Sequence, residues 1–307
     1  DPGGHKGNDS RGPMKDQAWK LRSMVGDRVQ PTKGRARVLA ITSGKGGVGK
    51  TNISIGLAIT AATTGLRTVL IDGDLGLANI DVLLDLHPRK NLGHLVDGGA
   101  SLRDVLIRAP GGFQVLPGAS GLSRVADLGH SQQQVLFDVL GQLMEENDLI
   151  LIDTGAGISR SVVDLCTTAG EVLVVTTPEP TAIVDAYAML KVFSQDPLSP
   201  KCWLAINQAQ SRGEAQQVMG RMRSLARQFL SMEIERAGAI LHDPRVPASV
   251  RRRQHFSLAY PSSPAAQGVR DLCEGLGLSR EKGSHGFLHR LKHLFSGDLE
   301  KVRERAL

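Results

Sequence analysis

Nine consecutive residues, Ser43-Gly44-Lys45-Gly46-Gly47-Val48-Gly49-Lys50-Thr51, gather groups able to hold a polyphosphate. The glycines let backbone N–H groups turn toward an anion, which then also meets the positive end of any helix that follows. Lys50 suits the β- and γ-phosphates, and the Thr51 hydroxyl suits Mg²⁺. A second cation, Lys45, stands in the same loop. Asp72 and Asp74 close one apolar run and Asp153 closes another. Carboxylates at strand ends beside a polyphosphate are placed to hold a divalent metal or an attacking water.

Those residues work only if the chain positions them. Residues 38–41 are apolar and read as a strand into the loop, while 51–64 read as a helix out of it, with Ile53, Leu57 and Ala61 on one face. Strand, glycine loop and helix form the context a phosphate-binding P-loop requires. Further strands are expected at 67–71, 113–118, 149–153, 171–177, 204–208 and 239–241. Helical patterns over 131–146, from 178 to about 193, and over 213–230 alternate with them. This alternation predicts a single-domain α/β fold: a doubly wound, mostly parallel sheet of seven or eight strands, its ligand at the strand C-termini.

Charge narrows the partners. The chain has 307 residues and a formal net charge of +6, with 41% hydrophobic residues and 35 glycines. Residues 14–37 carry seven Lys/Arg against two Asp/Glu, and 280–307 carry seven against four. Residues 1–13 are neutral, so 38–279 sum to −2. The basic character lies in the extensions, which makes a broad nucleic-acid face on the body unexpected. No apolar run reaches the roughly eighteen residues of a membrane span, and no signal peptide is visible. Cys166, Cys202 and Cys273 are widely spaced and form no C-x-x-C pair, which fits a reducing cytoplasm.

The segment Lys45 to Thr51, KGGVGKT, resembles the deviant Walker A ATPases of the MinD/ParA class. The resemblance implies ATP with Mg²⁺, and it implies an ATP-bound homodimer in which Lys45 reaches the phosphates held by the partner subunit. A cation supplied in trans has the logic of an arginine finger. By the same resemblance Asp74 orients the attacking water, Asp72 lies near Mg²⁺, and Ala78-Asn79-Ile80-Asp81 completes the family's A-N-x-D. Asp153 holds Mg²⁺ as the Walker B carboxylate, and Thr154-Gly155-Ala156-Gly157 is similar to the family's switch II. Asn207, at a strand end, is implied to hydrogen-bond the adenine, although an asparagine there is also an ordinary turn residue. Asp243 is a second adenine candidate in the loop after the last strand. The run Arg251-Arg252-Arg253 reads as a solvated helix face or an anion patch.

The extensions complete the expected organisation: 1–13 disordered or a cloning remnant, with Met14 a natural start; 14–36 a docking helix on a basic linker; 37–279 the ATPase; and 280–307 a C-terminal extension. Within the second part, Asp16-Gln17-Ala18-x-x-Leu21-Arg22 resembles the DQAxxLR element of the FlhG/FleN flagellar regulators. That similarity implies that Gln17, supported by Asp16, Leu21 and Arg22, stimulates an FlhF-type GTPase. DTGAG at 153–157 and the helix opening Pro178-Glu179-Pro180-Thr181 point to the same group. At 100° per residue, Phe287, Leu288, Leu291, Leu294 and Phe295 occupy one arc about 120° wide, flanked by cations. Such a helix either anchors to an anionic membrane surface or packs on the core. The expectation is a slow ATPase switch, cytoplasmic and peripheral on the inner face of the membrane when ATP-bound. It would regulate flagellar number or placement, with a flagellar switch-complex protein or transcription factor as a further partner. A ParA-type DNA or cargo partitioning ATPase, an iron–sulfur scaffold and a purely structural module are the rival readings.

Overall fold

The structure is a computed structural model that describes residues 36–74, 80–118 and 130–278. The partner-docking residues Asp16, Gln17, Leu21 and Arg22, the segment Ala78-Asn79, and the amphipathic set Phe287, Leu288, Leu291, Leu294 and Phe295 lie outside the described residues.

Eight strands form one sheet: β1 (Arg37–Ser43), β2 (Thr68–Gly73), β3 (Ile107–Arg108), β4 (Gln114–Leu116), β5 (Leu149–Ala156), β6 (Glu171–Thr176), β7 (Lys201–Ala209) and β8 (Ile234–Leu241). Their order is β3-β4-β2-β5-β1-β6-β7-β8, and every pairing is parallel except β3 with β4. β1 is therefore interior, which explains why its residues are apolar on both sides: Leu39, Ala40 and Ile41 are all fully buried. Ala40 packs into one core layer, while Leu39 and Ile41 join the opposite one.

Helices cover both faces. α1 (Lys50–Thr63) follows β1 directly. α2 (Ile80–Leu84), α3 (Leu92–Val96) and α4 (Leu102–Val105) are short and connect β2 to β3. α5 (His130–Glu146), α6 (Arg160–Ala169), α7 (Pro180–Gln195) and α8 (Arg212–Leu230) contribute to the first layer through Leu143, Cys166, Met189 and Met222. α9 (Arg245–Arg251), α10 (Phe256–Ala259) and α11 (Pro264–Gly275) follow β8. α11 packs beside α1 through Ala265, Ala266, Val269, Leu272 and Cys273. Each side chain of leucine size so buried contributes about 1.5–3 kcal/mol relative to exposure.

Several elements go beyond the sequence expectation, among them α6, α11 and β3. α6 begins after Ser159 and stops at Gly170, whose φ of 77° is the left-handed stop that glycine adopts without strain. α11 begins at a Ser263 cap, its Oγ accepting the Ala266 N–H, with Pro264 in the first turn. β3 is a two-residue antiparallel edge with too few residues to show alternation. The arginine run is also corrected. Only Arg251 is helical, Arg252 caps α9 and reaches the Tyr260 hydroxyl, and Arg253 has φ 53° and pairs with Asp85 at 2.8 Å.

At the starting edge of the strands, Arg37 gathers several elements. Its Nε and Nη2 donate to the Glu171 carboxylate at 3.2 and 2.6 Å, and its Nη1 donates to the Leu276 carbonyl at 2.5 Å. Trp203 Nε1 donates to the same carboxylate at 3.2 Å, and the Lys201 ammonium lies 4.4 Å above the Trp203 ring. No helix among the described residues is long and apolar enough to cross a membrane.

Candidate functional site

The candidate site forms where β1, β2, β5, β6 and β7 end. β1 ends at Ser43, whose hydroxyl donates to the Lys45 carbonyl at 2.9 Å, so the chain turns immediately. Gly47 and Gly49 take φ of 80° and 89°, conformations that oppose any side chain. At Gly44 the constraint is a close approach: an added Cβ would overlap the backbone of Asp185 and Ala186 on α7. The loop is thus clamped by α7 on one side and opens into α1 at Lys50, with Gly46 unobstructed and Val48 buried between them.

Lys50 points inward. Its Nζ donates to Asp153 Oδ1 at 2.9 Å, with the two side chains 8% and 0% exposed. The Ser54 hydroxyl, one turn along α1, donates to the same oxygen at 2.7 Å. Asp153 Oδ2 is buried and has no hydrogen-bond partner. A carboxylate oxygen left bare at full burial costs free energy unless a ligand meets it.

The register of the sheet explains which residues surround that oxygen. β2 and β5 are parallel and place Asp72 directly opposite Asp153. Asp72 is buried, and its Oδ1 accepts the Asp74 N–H at 3.3 Å. Asp74 is half-buried, and its Oδ1 lies 3.7 Å from where a Cβ on Gly155 would stand. The segment after Asp153 is fastened to β1: the Thr154 hydroxyl donates to the Ile41 carbonyl, and Gly157 N–H donates to the Ser43 carbonyl at 2.8 Å. Loop, D-x-D and Walker B positions therefore meet at one point, with Thr51 half-buried at the start of α1. Among the described residues no group of three His, Cys, Asp or Glu makes a self-sufficient metal site. The oxygens of Thr51, Asp72 and Asp153, one of them unpartnered, instead fit Mg²⁺, which takes one or two carboxylates and shares its remaining positions with phosphates and water.

Lys45 behaves differently. Its Nζ donates to Glu179 Oε1 at 2.7 Å and to Thr181 Oγ1 at 2.9 Å, and the Thr181 hydroxyl donates to the same Glu179 oxygen at 2.9 Å. These bonds hold the Glu179 carboxyl below its usual range. The pair is solvent-facing, with side chains 37% and 55% exposed.

The two adenine candidates also act on the framework. Asn207 is buried, and its Nδ2 donates to the Val48 carbonyl at 2.7 Å, bracing the phosphate loop from β7. Asp243 is buried, its Oδ1 accepting the Arg245 N–H at 2.9 Å and its Oδ2 the Ala265 N–H at 3.4 Å.

Sequence reasoning missed His255. Its Nε2 lies 2.8 Å from the Asn52 carbonyl on α1, while Nδ1 accepts the Ser257 N–H at 3.2 Å, so the neutral ring carries its proton on Nε2. Burial outweighs that backbone bond and pushes its pKa down to about 4. The ring stands beside Gly56 of α1 and supports the phosphate helix from below. Its signal in the sequence, a lone histidine before Phe256, is too common to identify. Cys166, by contrast, is inert: burial raises its thiol to about 12.

Comparison with known proteins agrees with this geometry. A family model described as an AAA domain matches residues 36–196. The antiactivator FleN of Pseudomonas aeruginosa is 38% identical over 230 residues, covering 75% of this chain and 82% of FleN. The flagellum site-determining protein YlxH of Helicobacter pylori is 32% identical over 272 residues, covering 87% of this chain and 92% of YlxH. The fold is that of the cell division ATPase MinD of Pyrococcus furiosus, with a TM-score of 0.63 at 23% identity over 79% of this chain and 98% of that one. MinD of Pyrococcus horikoshii, solved with Mg-ADP, gives 0.61 at 24% identity over 78% and 96%.

Proposed function

This chain belongs to the MinD/ParA-type deviant Walker A ATPases, in the group that includes FleN, and from that premise we propose that it is a dimerising switch controlling flagellar number or placement. It binds and hydrolyses ATP. In the proposed cycle the loop amides from Gly44 to Thr51, with Lys50, hold the phosphates, and Asp74 orients the attacking water. Thr51, Asp72 and Asp153 hold Mg²⁺, which neutralises phosphate charge when bound. Lys50 exchanges its Asp153 partner for phosphate, a rearrangement short enough for one side chain. Asn207 and Asp243 shape the adenine end of the pocket through the backbone groups they hold.

The observation that carries the dimer is Lys45. Its ammonium is bonded to exposed Glu179 and Thr181 rather than to Asp153 or the loop, which leaves it able to swing to a neighbouring subunit's phosphates. Two ATP molecules between two subunits would then each meet a lysine from the opposite chain. The finer proposals are that Gln17 and its neighbours stimulate an FlhF-type GTPase, and that paired 287–295 segments hold the ATP-bound dimer on an anionic membrane. One weakly binding helix becomes two through avidity.

The test is size-exclusion chromatography with Mg-ATP on wild type, Lys45→Ala and Asp74→Ala. Wild type should shift transiently to a dimer, Asp74→Ala should stay dimeric, and Lys45→Ala should stay monomeric. A protein that remains monomeric in all three overturns the switch, and normal hydrolysis by Asp74→Ala overturns the water-positioning role. ATP-dependent co-sedimentation with DNA would favour the partitioning reading instead.

A further inference from the structure

Ser54 is a polar side chain in a stretch of α1 that is otherwise apolar. It is fully buried, as are its chain neighbours Ile53, Ile55, Leu57 and Ala58, and a hydroxyl so placed costs free energy unless it is bonded. The ordinary remedy in a helix is a bond to the carbonyl one turn back, and Thr60 and Thr63 take it, donating to the Gly56 and Ile59 carbonyls at 2.8 Å each. Ser54 has the same option in the Lys50 carbonyl, but that oxygen lies 3.1 Å away, whereas Asp153 Oδ1 lies at 2.7 Å. A hydroxyl has one proton to give, and the shorter contact, to a charged acceptor, is the stronger.

Lys50 and Ser54 stand four residues apart on one face of α1, and both donate to the same oxygen of Asp153. The second oxygen, Oδ2, is left bare in the interior. In the proposed cycle Lys50 gives up its bond for phosphate. Ser54 lies a full turn further along the helix, so its bond outlasts that exchange. Without Ser54, the departure of Lys50 strips the Asp153 carboxylate of both bonds it makes to described residues, and the group can turn about its terminal torsion.

We propose that Ser54 is a positioning residue for the metal: by pinning Asp153 Oδ1 while Lys50 changes partners, it keeps Oδ2 available to Mg²⁺. The proposal rests on the nucleotide and Mg²⁺ reading of the site and adds a residue that acts through Asp153 rather than as a ligand. A partner that orients a metal ligand counts for much of the metal's affinity even though it never meets the ion.

The test titrates Mn²⁺, read by electron paramagnetic resonance, into the full chain saturated with ADP. Ser54→Ala should raise the Mn²⁺ dissociation constant by about 10- to 100-fold. Its ADP affinity in EDTA should fall by less than its metal affinity. Turnover should show the same split: the Mg²⁺ concentration for half-maximal rate rises, while the rate at saturating Mg²⁺ recovers most of the wild-type value. Ser54→Cys keeps the shape with a much weaker donor and should also lose Mn²⁺ affinity, so it decides the matter if the alanine variant does not fold. Unchanged Mn²⁺ affinity in Ser54→Ala overturns the proposal, and so does full wild-type affinity in Ser54→Cys, which would make shape rather than the bond responsible. A loss of metal-free ADP affinity as large as the loss for the metal also overturns it, by making Ser54 a general support of α1. A wild-type chain that binds neither ADP nor Mn²⁺ would instead remove the nucleotide and metal reading beneath it.

Discussion

Lys50 and Lys45 sit five residues apart in one loop, yet the fold treats them oppositely. Lys50 is sunk against a fully buried aspartate and shares it with Ser54, while Lys45 lies at the surface against an exposed glutamate. Sheet geometry dictates the first: Asp153 lies near the C-terminal end of the interior strand β5, and the first turn of α1 faces it. The second depends on Glu179, 134 residues later, which caps the start of α7. Burial fixes a cation in one geometry, whereas solvent leaves it exchangeable among partners of similar strength. In the proposed dimer cycle, the buried lysine would serve its own subunit's phosphate and the exposed one the neighbour's.

The sharpest test of that contrast is Lys50→Ala. Removing one member of a buried pair strands the other, so unfolding free energy should drop by about 3–5 kcal/mol while ATP turnover falls to background. An unchanged denaturant midpoint would mean that the pair contributes nothing to the fold. Lys45→Ala should do the reverse, lowering steady-state turnover by about 10³- to 10⁵-fold if Lys45 is the trans cation proposed above. Its unfolding curve should match wild type to within about 1 kcal/mol.

A third test separates the buried framework from the loop by pH. The folded state keeps His255 neutral down to about 4, whereas the unfolded chain takes up a proton near its ordinary value of 6.5. Its contribution is complete above pH 6.5 and is lost as pH falls toward 4, amounting to about 3 kcal/mol. Equilibrium unfolding from pH 4 to 7 measures this slope, and His255→Gln should flatten it. The smallest effect is expected for Glu179→Gln, which should change stability by less than about 1 kcal/mol, because water replaces the lost ion pair. A larger loss would mean that Lys45 is as fixed as Lys50.

Much of this was legible in the sequence. The KGGVGKT loop, the D-x-D and the aspartate closing the 149–152 run needed only an apolar strand before each carboxylate, and the sheet brings all three together. α11 could also have been read, since Ser263-Pro264 before an Ala-Ala-x-x-Val-x-x-Leu pattern is a helix start with a buried face. What stayed hidden depends on register and crossing chains. A one-step slip in β7 decides that Asn207 meets Val48 and that Gln208 turns outward, and alternation along a single strand carries no information about such a slip. The Lys45 partner and the His255 contact on α1 join positions 134 and 203 residues apart, which no local pattern specifies.

Arg37 has a consequence for orientation. It opens β1 and grips the Leu276 carbonyl, so the entrance to the described body and its exit at Leu278 lie side by side. The glycine loop caps the other end of the same seven-residue strand, about 20 Å away. A tether attached at either end of the body would therefore leave the protein hanging the same way up, its ATP-binding mouth turned outward from the point of attachment.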